Sequence, residues 1–393
     1  MLWATPAAGA DDPPKPPTLN ADAWLLVDSS DDTVLADRDP DTERAMASTT
    51  KLMTAYLALR SLDLDDVVTA APYQPGPAES LMNLRPGERV SVHDLLYGLL
   101  LASGNDAAET LAVAVSGSES AFVARMNKTA DRLGLEETSY RDPIGFDAPG
   151  HYTSPHDLIE LTERLRRDAV FRKVTDTPEI ELTEGEKPRR VANRNNLVRT
   201  VPWVDGVKTG YTDDAGYVLV ASGRQKGISL ISAVMGAPSE SERDASSIEL
   251  LRYGFSLYHR EDVVDRGERL GETSVQYRDE SVPLAATRAV DLTVRRDQDV
   301  EVASRGVPSE IEGPIERGDR LGKAVVTLDG AEVARVPLGS TRSVDRASLI
   351  DRIDSALPGE RAGAWGLLAL SVLTIMLVIA LTIAWLRQRR ASR

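Results

Sequence analysis

An uninterrupted apolar run near the C-terminus, residues 364–386, restricts the fold of this 393-residue chain more than any other feature. Apart from Ser and Thr, it carries no hydrophilic side chain. At about 1.5 Å per residue, a helix of this length crosses the roughly 30 Å hydrocarbon core of a bilayer. Core helices of soluble proteins are rarely so long or so close to a basic terminus. We therefore predict a transmembrane helix, and the globular part must fold before residue 364.

Basic residues follow the apolar run at once and indicate its orientation. They are Arg387, Arg389, Arg390 and Arg393. Positive charge marks the cytoplasmic flank of a membrane span. We therefore predict that residues 387–393 form a basic cytoplasmic tail, that the chain crosses the cell membrane once, and that its bulk lies on the exported side.

The first residues resemble the end of a secretory signal. Ala8-Gly9-Ala10 has the form of a signal-peptidase site, but a basic start and a full apolar stretch are lacking. We infer that the start codon is misplaced or that the signal has been trimmed. Residues 1–20 are therefore interpreted as a signal-peptide remnant and linker.

Composition excludes several classes of function. The formal net charge of −15 repels nucleic-acid phosphates, so we expect no nucleic-acid partner. The absence of cysteine rules out disulfides and a thiol nucleophile. The histidines lack the spacing of metal ligands, so we expect no metal and no cofactor. We interpret them as surface or loop residues: His93, His151, His156 and His259.

The first candidate site is a Ser-Thr-Thr-Lys stretch, residues 48–51. Residues 45–61 contain no Pro or Gly and are apolar on nearly all sides, which predicts a buried helix. Residues three apart share one helix face, so Ser48 and Lys51 can meet. A serine nucleophile needs such a base, and burial beside a second cation, such as Lys208, lowers the pKa of a lysine.

Two further polar segments fit the same chemistry. Residues 103–105, Ser-Gly-Asn, break an apolar helix that a capping box at residues 91–94 opens. Residues 208–210, Lys-Thr-Gly, precede an apolar strand pattern at residues 217–221, and the glycine permits close approach of a substrate backbone. A lone Ser-x-x-Lys pair arises by chance. The three segments together indicate a serine acyl-transferase with a lysine base.

These segments resemble the Ser-x-x-Lys, Ser-x-Asn and Lys-Thr-Gly motifs of the penicillin-interacting serine hydrolases. Within that group the chain is most similar to the low-molecular-mass D-alanyl-D-alanine carboxypeptidases. The likeness covers residues 23–258 and includes the stretches 145–154, 193–197 and 204–217. Gly104 stands where lactamases have Asp, and glycine at this position is the carboxypeptidase form. Phe146 stands where the family typically has Leu. Neither departure removes a reacting group.

The resemblance implies an α+β catalytic domain of the β-lactamase/transpeptidase type over residues 21–260, an antiparallel sheet with helices on its faces. The sequence patterns agree with this fold. Strand patterns lie at both ends of the region, at residues 23–28, 33–36, 217–222 and 229–234. Helical patterns lie between them, at residues 107–115, 121–133 and 154–166. The sheet is therefore expected to join distant parts of the chain.

The resemblance also implies a role for each site residue. Ser48 attacks the carbonyl between the two terminal D-alanines of a peptidoglycan stem peptide, and Lys51 takes its proton. Ser103 and Lys208 form the proton route to the leaving nitrogen. Asn105 holds the amide on the acyl side of the substrate.

The remaining roles concern the terminal carboxylate of the substrate and the oxygen of the carbonyl that is attacked. Thr209, with the lysine before it, binds the terminal carboxylate, and Arg243 orients it. Gly210 lets the substrate lie along the strand. The backbone N–H groups of Tyr211 and Ser48 form the oxyanion hole.

The predicted function is therefore removal of the terminal D-alanine from pentapeptide stems, with β-lactam antibiotics as inhibitors. A class A β-lactamase needs a Glu-x-x-Leu-Asn segment that residues 136–140 do not supply. A D,D-endopeptidase that cleaves cross-links uses the same chemistry and stays open, as does the oligomeric state. A non-catalytic, membrane-tethered wall-binding protein is expected to lack Ser48, Lys51 or Lys208.

A different pattern separates the catalytic region from the membrane. Residues 261–342 alternate with period two and contain a hairpin signal at Asp329-Gly330, which predicts a small β-sandwich domain. It serves either as a stalk or as a domain that only packs and stabilises. Residues 343–363 are predicted to be a juxtamembrane linker with an amphipathic helix at residues 348–357.

Overall fold

The computed structural model of the chain describes residues 14–183, 186–356 and 361–391. The predicted cleavage site at residues 8–10, residues 357–360 of the predicted juxtamembrane segment, and residues 392–393 of the predicted tail lie outside these ranges. The chain divides into two compact units, Met1–His259 and Arg260–Arg393. Each unit is described by itself.

The first unit combines strands at its two ends with helices between them. Its strands are β1 (Ala23–Asp28), β2 (Thr33–Arg38), β3 (Val67–Thr69), β4 (Arg89–Ser91), β5 (Glu179–Leu182), β6 (Arg189–Ala192), β7 (Val204–Thr212), β8 (Gly216–Gln225) and β9 (Ile228–Ala237). Its helices are α1 (Lys51–Leu59), α2 (Val92–Leu100), α3 (Asn105–Ser116), α4 (Glu119–Leu133), α5 (Pro155–Arg166), α6 (Ala169–Thr175), α7 (Leu197–Thr200) and α8 (Glu240–Ser256). Each strand and helix pattern of the catalytic region overlaps one of these elements.

An antiparallel five-stranded sheet in the order β2-β1-β9-β8-β7 joins the two ends of the unit. Successive side chains of a strand face opposite sides of the sheet. Accordingly, Leu25 and Val27 of β1 pack into the core that contains α1. Trp24 and Leu26, between and beside them, pack into the second core, which contains Leu250 and Leu251 of α8. The predicted arrangement, a sheet with helices on both faces, is confirmed.

The central helix α1 is buried over residues 51–58, because its sequence has no polar face to present to water. It is shorter than the predicted stretch of residues 45–61. A single 3₁₀ turn, Ala47–Thr50, precedes it, so Ser48 lies in the tighter turn and Lys51 is the first residue of the α-helix.

The break between α2 and α3 follows the predicted pattern. Ser91 caps α2 by accepting a hydrogen bond from the Asp94 backbone N–H at 3.1 Å, which satisfies one of the free donors of the first turn. The helix ends at Leu100, and α3 begins at Asn105. Ser103, in the connection, has a φ of +60°, a left-handed conformation that is uncommon for residues other than glycine.

The second unit is all-β up to residue 340 among the residues described. Its strands are β10 (Tyr258–Val264, which starts two residues before the boundary), β11 (Arg269–Val275), β12 (Ser281–Ala286), β13 (Val290–Arg295), β14 (Val300–Arg305), β15 (Glu310–Ile311), β16 (Arg320–Leu328) and β17 (Ala331–Ser340). They form a six-stranded sheet, β14-β16-β17-β12-β11-β15, and a two-stranded sheet, β10-β13. The predicted hairpin at Asp329-Gly330 joins β16 to β17, with positive φ at both turn residues.

Two helices end the chain. The first, α9 (Leu349–Ala356), coincides with the predicted amphipathic segment. The second, α10 (Arg361–Ala391), contains one stretch, Leu368–Gln388, that is long and apolar enough to cross a membrane, with a mean hydropathy of 2.5.

Candidate active site

The 3₁₀ turn before α1 brings the first serine and lysine together. Lys51 Nζ donates to Ser48 Oγ and to the Ile144 carbonyl oxygen, each at 2.9 Å. Two side-chain hydrogen bonds stabilise the turn, from Thr49 Oγ1 to the Met46 carbonyl at 2.6 Å and from Thr50 Oγ1 to the Ala47 carbonyl at 2.9 Å. The serine hydroxyl therefore has a base within reach.

A second serine and lysine meet although they lie far apart in sequence. Lys208 Nζ, on β7, donates to Ser103 Oγ at 2.9 Å and to the Thr209 carbonyl at 2.8 Å. Lys208 is buried, and Ser103 is held by the connection between α2 and α3. The sheet and the helical layer thus supply one member each.

Burial lowers the pKa of both lysines. The pKa of Lys51 falls from 10.5 to about 7, chiefly because the amine is buried; the Asp142 and Glu79 carboxylates oppose this change, and the Arg194 guanidinium adds to it. Burial also lowers the pKa of Lys208 well below its usual range, and the charges of Lys51, Arg194 and Arg243 add to the effect. A lysine that has lost its proton can serve as a base, so Lys51 is suited to act near neutral pH.

The segment Thr209–Tyr211 runs along β7 past the serine turn. A Cβ at Gly210 would lie 2.9 Å from Ala47 Cβ and 3.1 Å from the Ser48 backbone nitrogen. Glycine is therefore needed for β7 to approach the serine turn. The sequence suggested a different reason, the close approach of a substrate backbone to the strand. Tyr211 is 53 % exposed, and its hydroxyl donates to Asp213 at 3.0 Å.

Asn105 lies at the start of α3 with 5 % of its surface exposed. Its side-chain Nδ2 donates to Glu79 Oε2 at 2.8 Å, and its backbone N–H donates to the Ser80 carbonyl at 2.8 Å. The loop that carries these two partners has no regular secondary structure, and sequence reasoning missed it.

Arg243, in the first turn of α8, is buried rather than solvated, with 4 % of its side chain exposed. Its guanidinium donates to Asp244 Oδ1 through Nε at 2.9 Å and Nη2 at 2.7 Å, and to Glu240 Oε1 at 3.1 Å. These carboxylates hold the planar fork in one orientation. The fork lines the same cleft as the serines.

A single cleft of about 290 Å³ collects most of the predicted site residues. It is lined by Ser48, Ala78, Ser80, Ser103, Arg194, Thr209, Gly210, Tyr211, Tyr217, Glu240 and Arg243. Arg194 belongs to a stretch quoted for the resemblance, residues 193–197, and that membership is the signal by which sequence reasoning could have found it.

The loop after α4 contacts the base, Lys51, through a backbone carbonyl that Asp142 positions. Asp142 Oδ1 accepts the backbone N–H groups of Ile144 at 2.7 Å and Gly145 at 2.6 Å, and so places the Ile144 carbonyl against Lys51. Burial opposes ionisation of Asp142, but the nearby His151 and these backbone donors keep its pKa below the usual range. Asp142 therefore stays charged.

The histidines lie apart from the reacting groups. His151 is in a loop, as expected, but it is buried at 5 % exposure. The Arg141 backbone N–H donates to its Nδ1 at 3.2 Å, so Nε2 carries the ring proton and donates to Thr50 Oγ1 at 2.8 Å. His151 thus stabilises the serine turn. His93 and His156 each contact a neighbouring Asp, Asp94 at 3.0 Å and Asp41 at 2.9 Å.

Two serine–lysine pairs, whose serines line one cleft and whose lysines are buried behind them, define a serine acyl-transferase of the Ser-x-x-Lys class. Comparison with known proteins specifies the family. The family profile described as D-alanyl-D-alanine carboxypeptidase matches residues 10–239, and the profile described as penicillin-binding protein 5, C-terminal domain, matches residues 258–346. The chain belongs to the D-alanyl-D-alanine carboxypeptidase family of serine peptidases.

Individual relatives agree with this assignment. The chain is 32 % identical over 339 residues to the D-alanyl-D-alanine carboxypeptidase DacF of Bacillus subtilis, covering 84 % of this chain and 87 % of the relative. Among solved structures, penicillin-binding protein 5 of Haemophilus influenzae matches with 31 % identity and a TM-score of 0.59, covering 84 % of this chain and 99 % of that one. The Streptomyces K15 DD-transpeptidase matches with 30 % identity and a TM-score of 0.58, covering 62 % of this chain and all of that one. The predicted fold, a transpeptidase-like domain followed by an all-β domain, is confirmed.

Proposed function

We propose that this protein removes the terminal D-alanine from peptidoglycan pentapeptide stems through an acyl-enzyme on Ser48. The observation that carries the proposal is the 2.9 Å contact between Ser48 Oγ and the buried Lys51 amine, beside a cleft that Ser103 of the second serine–lysine pair also lines. Family membership supports the choice of a D-alanyl-D-alanine bond as the one cleaved.

The reaction follows from the placement of the groups. Neutral Lys51 takes the Ser48 proton as Oγ attacks the carbonyl carbon. The oxyanion of the tetrahedral intermediate accepts hydrogen bonds from the backbone N–H groups of Ser48 and Tyr211. Collapse of this intermediate breaks the C–N bond. The leaving D-alanine nitrogen takes a proton delivered through Ser103 and Lys208, and water then hydrolyses the ester to free Ser48.

The two ends of the cleft bind the two ends of the dipeptide. Lys208, Thr209 and Arg243 form a cationic, hydrogen-bonding end suited to the terminal carboxylate. Asn105, at the start of α3, holds the amide of the acyl side, and Gly210 allows β7 to lie close to the serine turn. Penicillins, which carry a carboxylate beside a reactive carbonyl, acylate the same serine.

A Ser48→Ala variant tests the nucleophile. We expect it to lose covalent labelling by a fluorescent penicillin and release of D-alanine, each by about 10³-fold or more, while its thermal unfolding stays close to that of the parent. Persistent labelling of this variant would overturn the assignment.

The substrate is tested by mass analysis after incubation with a pentapeptide muropeptide and, separately, with a cross-linked dimer. Loss of one D-alanine from the monomer is the expected product. Cleavage of the dimer without trimming of the monomer would show instead that the enzyme is a D,D-endopeptidase.

We further propose that the predicted span of residues 364–386 anchors the chain in the cell membrane, with the catalytic domain of residues 21–260 outside and residues 387–393 in the cytoplasm. The apolar side chains of α10 are exposed from Leu368 to Leu386, which fits a helix surrounded by lipid. Residues 261–342 would then form a β domain that lies between the catalytic domain and the anchor in the sequence. A chain ending at Ser355 should be soluble and active; if it stays with membranes, the anchor lies elsewhere.

A further inference from the structure

Glu79 lies between Ala78 and Ser80, which line the cleft, and its carboxylate accepts hydrogen bonds from three donors. It accepts the Tyr73 hydroxyl, the Gly76 backbone N–H at 2.6 Å and Asn105 Nδ2 at 2.8 Å. The three donors come from the loop itself and from the first residue of α3, so Glu79 connects the loop to the helix.

The contact with Asn105 has a directional consequence. A carboxylate only accepts hydrogen bonds, whereas a side-chain amide has a donating and an accepting end. The amide of Asn105 must therefore turn its NH₂ group toward Glu79, which leaves its carbonyl oxygen on the opposite side of the group. A neutral partner such as glutamine would permit either orientation.

Backbone contacts make this arrangement rigid. The Asn105 backbone N–H donates to the Ser80 carbonyl at 2.8 Å. The next residue, Asp106, accepts the backbone N–H groups of Met82 and Leu84, each at 2.8 Å. The residues that follow Glu79 in the loop are thus fastened to the start of α3. Ser80 also lines the cleft.

Glu79 also carries a charge that reaches the catalytic base. Its partial burial opposes ionisation, but the hydrogen bonds from Tyr73, Asn105 and Gly76 together lower its pKa below the usual range. The resulting negative charge raises the pKa of Lys51. The same carboxylate therefore touches one functional residue and acts on a second through space.

We infer that Glu79 is a positioning residue for acyl transfer, which fixes the orientation of the Asn105 amide and so determines which polar group meets the amide of the acyl side of the peptide. This inference rests on the proposed function. It predicts that loss of the Glu79 carboxylate slows acylation through Asn105 and through no other contact of the loop.

The test is a double-mutant cycle in the full chain, purified in detergent. The measured quantity is the second-order rate of Ser48 acylation by a fluorescent penicillin, with D-alanine release from a pentapeptide as a second readout. We expect Glu79→Gln to lower the acylation rate roughly tenfold, the value of about one hydrogen bond to a charged group. In an Asn105→Ala background the same change should cost less than about twofold, because the residue that Glu79 orients is already gone.

The acid limb of the pH–rate profile depends on the charge of Glu79 and would not shift if the role of Glu79 were purely structural. Glu79→Gln should displace the acid limb of the pH–rate profile to lower pH, since a negative charge near Lys51 is lost. Glu79→Asp keeps the charge, so the acid limb should stay in place. Its side chain is one methylene shorter, so it should orient Asn105 poorly and acylate Ser48 more slowly than the parent. A Glu79→Asp variant whose limb moves as far as that of Glu79→Gln would contradict this account.

Glu88→Gln is the matched control. Glu88 is buried and pairs with Arg189 at 2.5 Å, and it lies near the end of the same connection without touching Asn105. This control should lower the unfolding temperature and leave the acylation rate within about twofold. If Glu79→Gln acylates at the parent rate, or loses as much rate with Asn105 absent as with Asn105 present, the inference is overturned. A parent chain that is never acylated would overturn the proposed function and the inference with it.

Discussion

The two serine–lysine pairs, whose serines line one cleft, match in distance and differ in electrostatic surroundings. Both lysine nitrogens lie 2.9 Å from a serine oxygen, and both lysines are buried. Around Lys51, the Arg194 cation is opposed by the carboxylates of Asp142, Glu79 and Asp106. Around Lys208, the charges that act on its pKa are all positive.

This difference assigns the two amines to different tasks. With its mixed surroundings, Lys51 has a pKa of about 7, so it both gains and loses a proton near neutral pH, as a general base must. Burial and its cationic neighbours hold the pKa of Lys208 well below its usual range. A substrate that brings a carboxylate would supply negative charge beside Lys208 and raise this pKa. One pair therefore acts on the scissile carbonyl, and the other responds to the arrival of substrate.

The largest expected effect comes from removing the amine that titrates. Lys51→Met should lower acylation by a fluorescent penicillin by roughly 10³-fold, within the range of losing a general base. It should also raise the free energy of unfolding at pH 7, by up to roughly 4 kcal/mol, because the folded state no longer forces a lysine to give up its proton.

The pH dependence of stability checks the second half of this prediction. A lysine whose folded pKa is about 7 and whose ordinary value is 10.5 binds fewer protons in the folded state than in the unfolded state between these pH values. Unfolding free energy therefore rises with pH across this window in the parent, and the slope should be smaller in Lys51→Met. Denaturant titrations at pH 7 and pH 9 measure it. Equal slopes in the two proteins would contradict the assigned shift.

An intermediate effect should appear at Lys208, and it should depend on the substrate. The parent enzyme is expected to prefer a peptide that ends in a D-alanine carboxylate over the matching carboxamide by roughly 10²-fold, the value of a charge-assisted hydrogen bond at the upper end of its range. In Lys208→Ala this preference should shrink toward tenfold, with Arg243 and Thr209 retaining the rest. The ratio of kcat/KM for the two peptides measures it. A ratio that Lys208→Ala leaves unchanged would separate this lysine from carboxylate recognition.

Local patterns predicted the secondary structure because their causes are local. The strand Ala23–Asp28 was expected with the same limits that the structure has, since a continuous apolar run suits a sheet buried on both faces. Ser91 was expected to cap α2 because the capping side chain and the backbone N–H that donates to it lie three residues apart. The contact between Ser48 and Lys51 follows from the same short spacing, although the sequence did not distinguish the 3₁₀ turn from an α-helix.

The surroundings of the site could not be predicted in the same way. Glu79 and Asp142 lie in irregular loops, and each acts on a residue to which no periodic pattern links it. Ser103 and Lys208 are separated by 105 residues, and only resemblance to a known motif set connected them before the fold was known. The electrostatic difference between the two pairs depends on these long-range approaches, so it became visible only in three dimensions.

The smallest effect expected tests the balance of charge at Lys51. Because Lys51 must be neutral to act, kcat/KM should fall about tenfold per pH unit below a pKa of about 7. The ionised Asp142 carboxylate stabilises the protonated amine, so Asp142→Asn should lower this pKa and move the acid limb to lower pH. Asparagine keeps an oxygen that can accept the Ile144 and Gly145 N–H groups, which limits damage to the loop. The pH–rate profiles of the two proteins provide the measurement. A limb that moves to higher pH in Asp142→Asn would mean that the loop, and not the charge, governs Lys51.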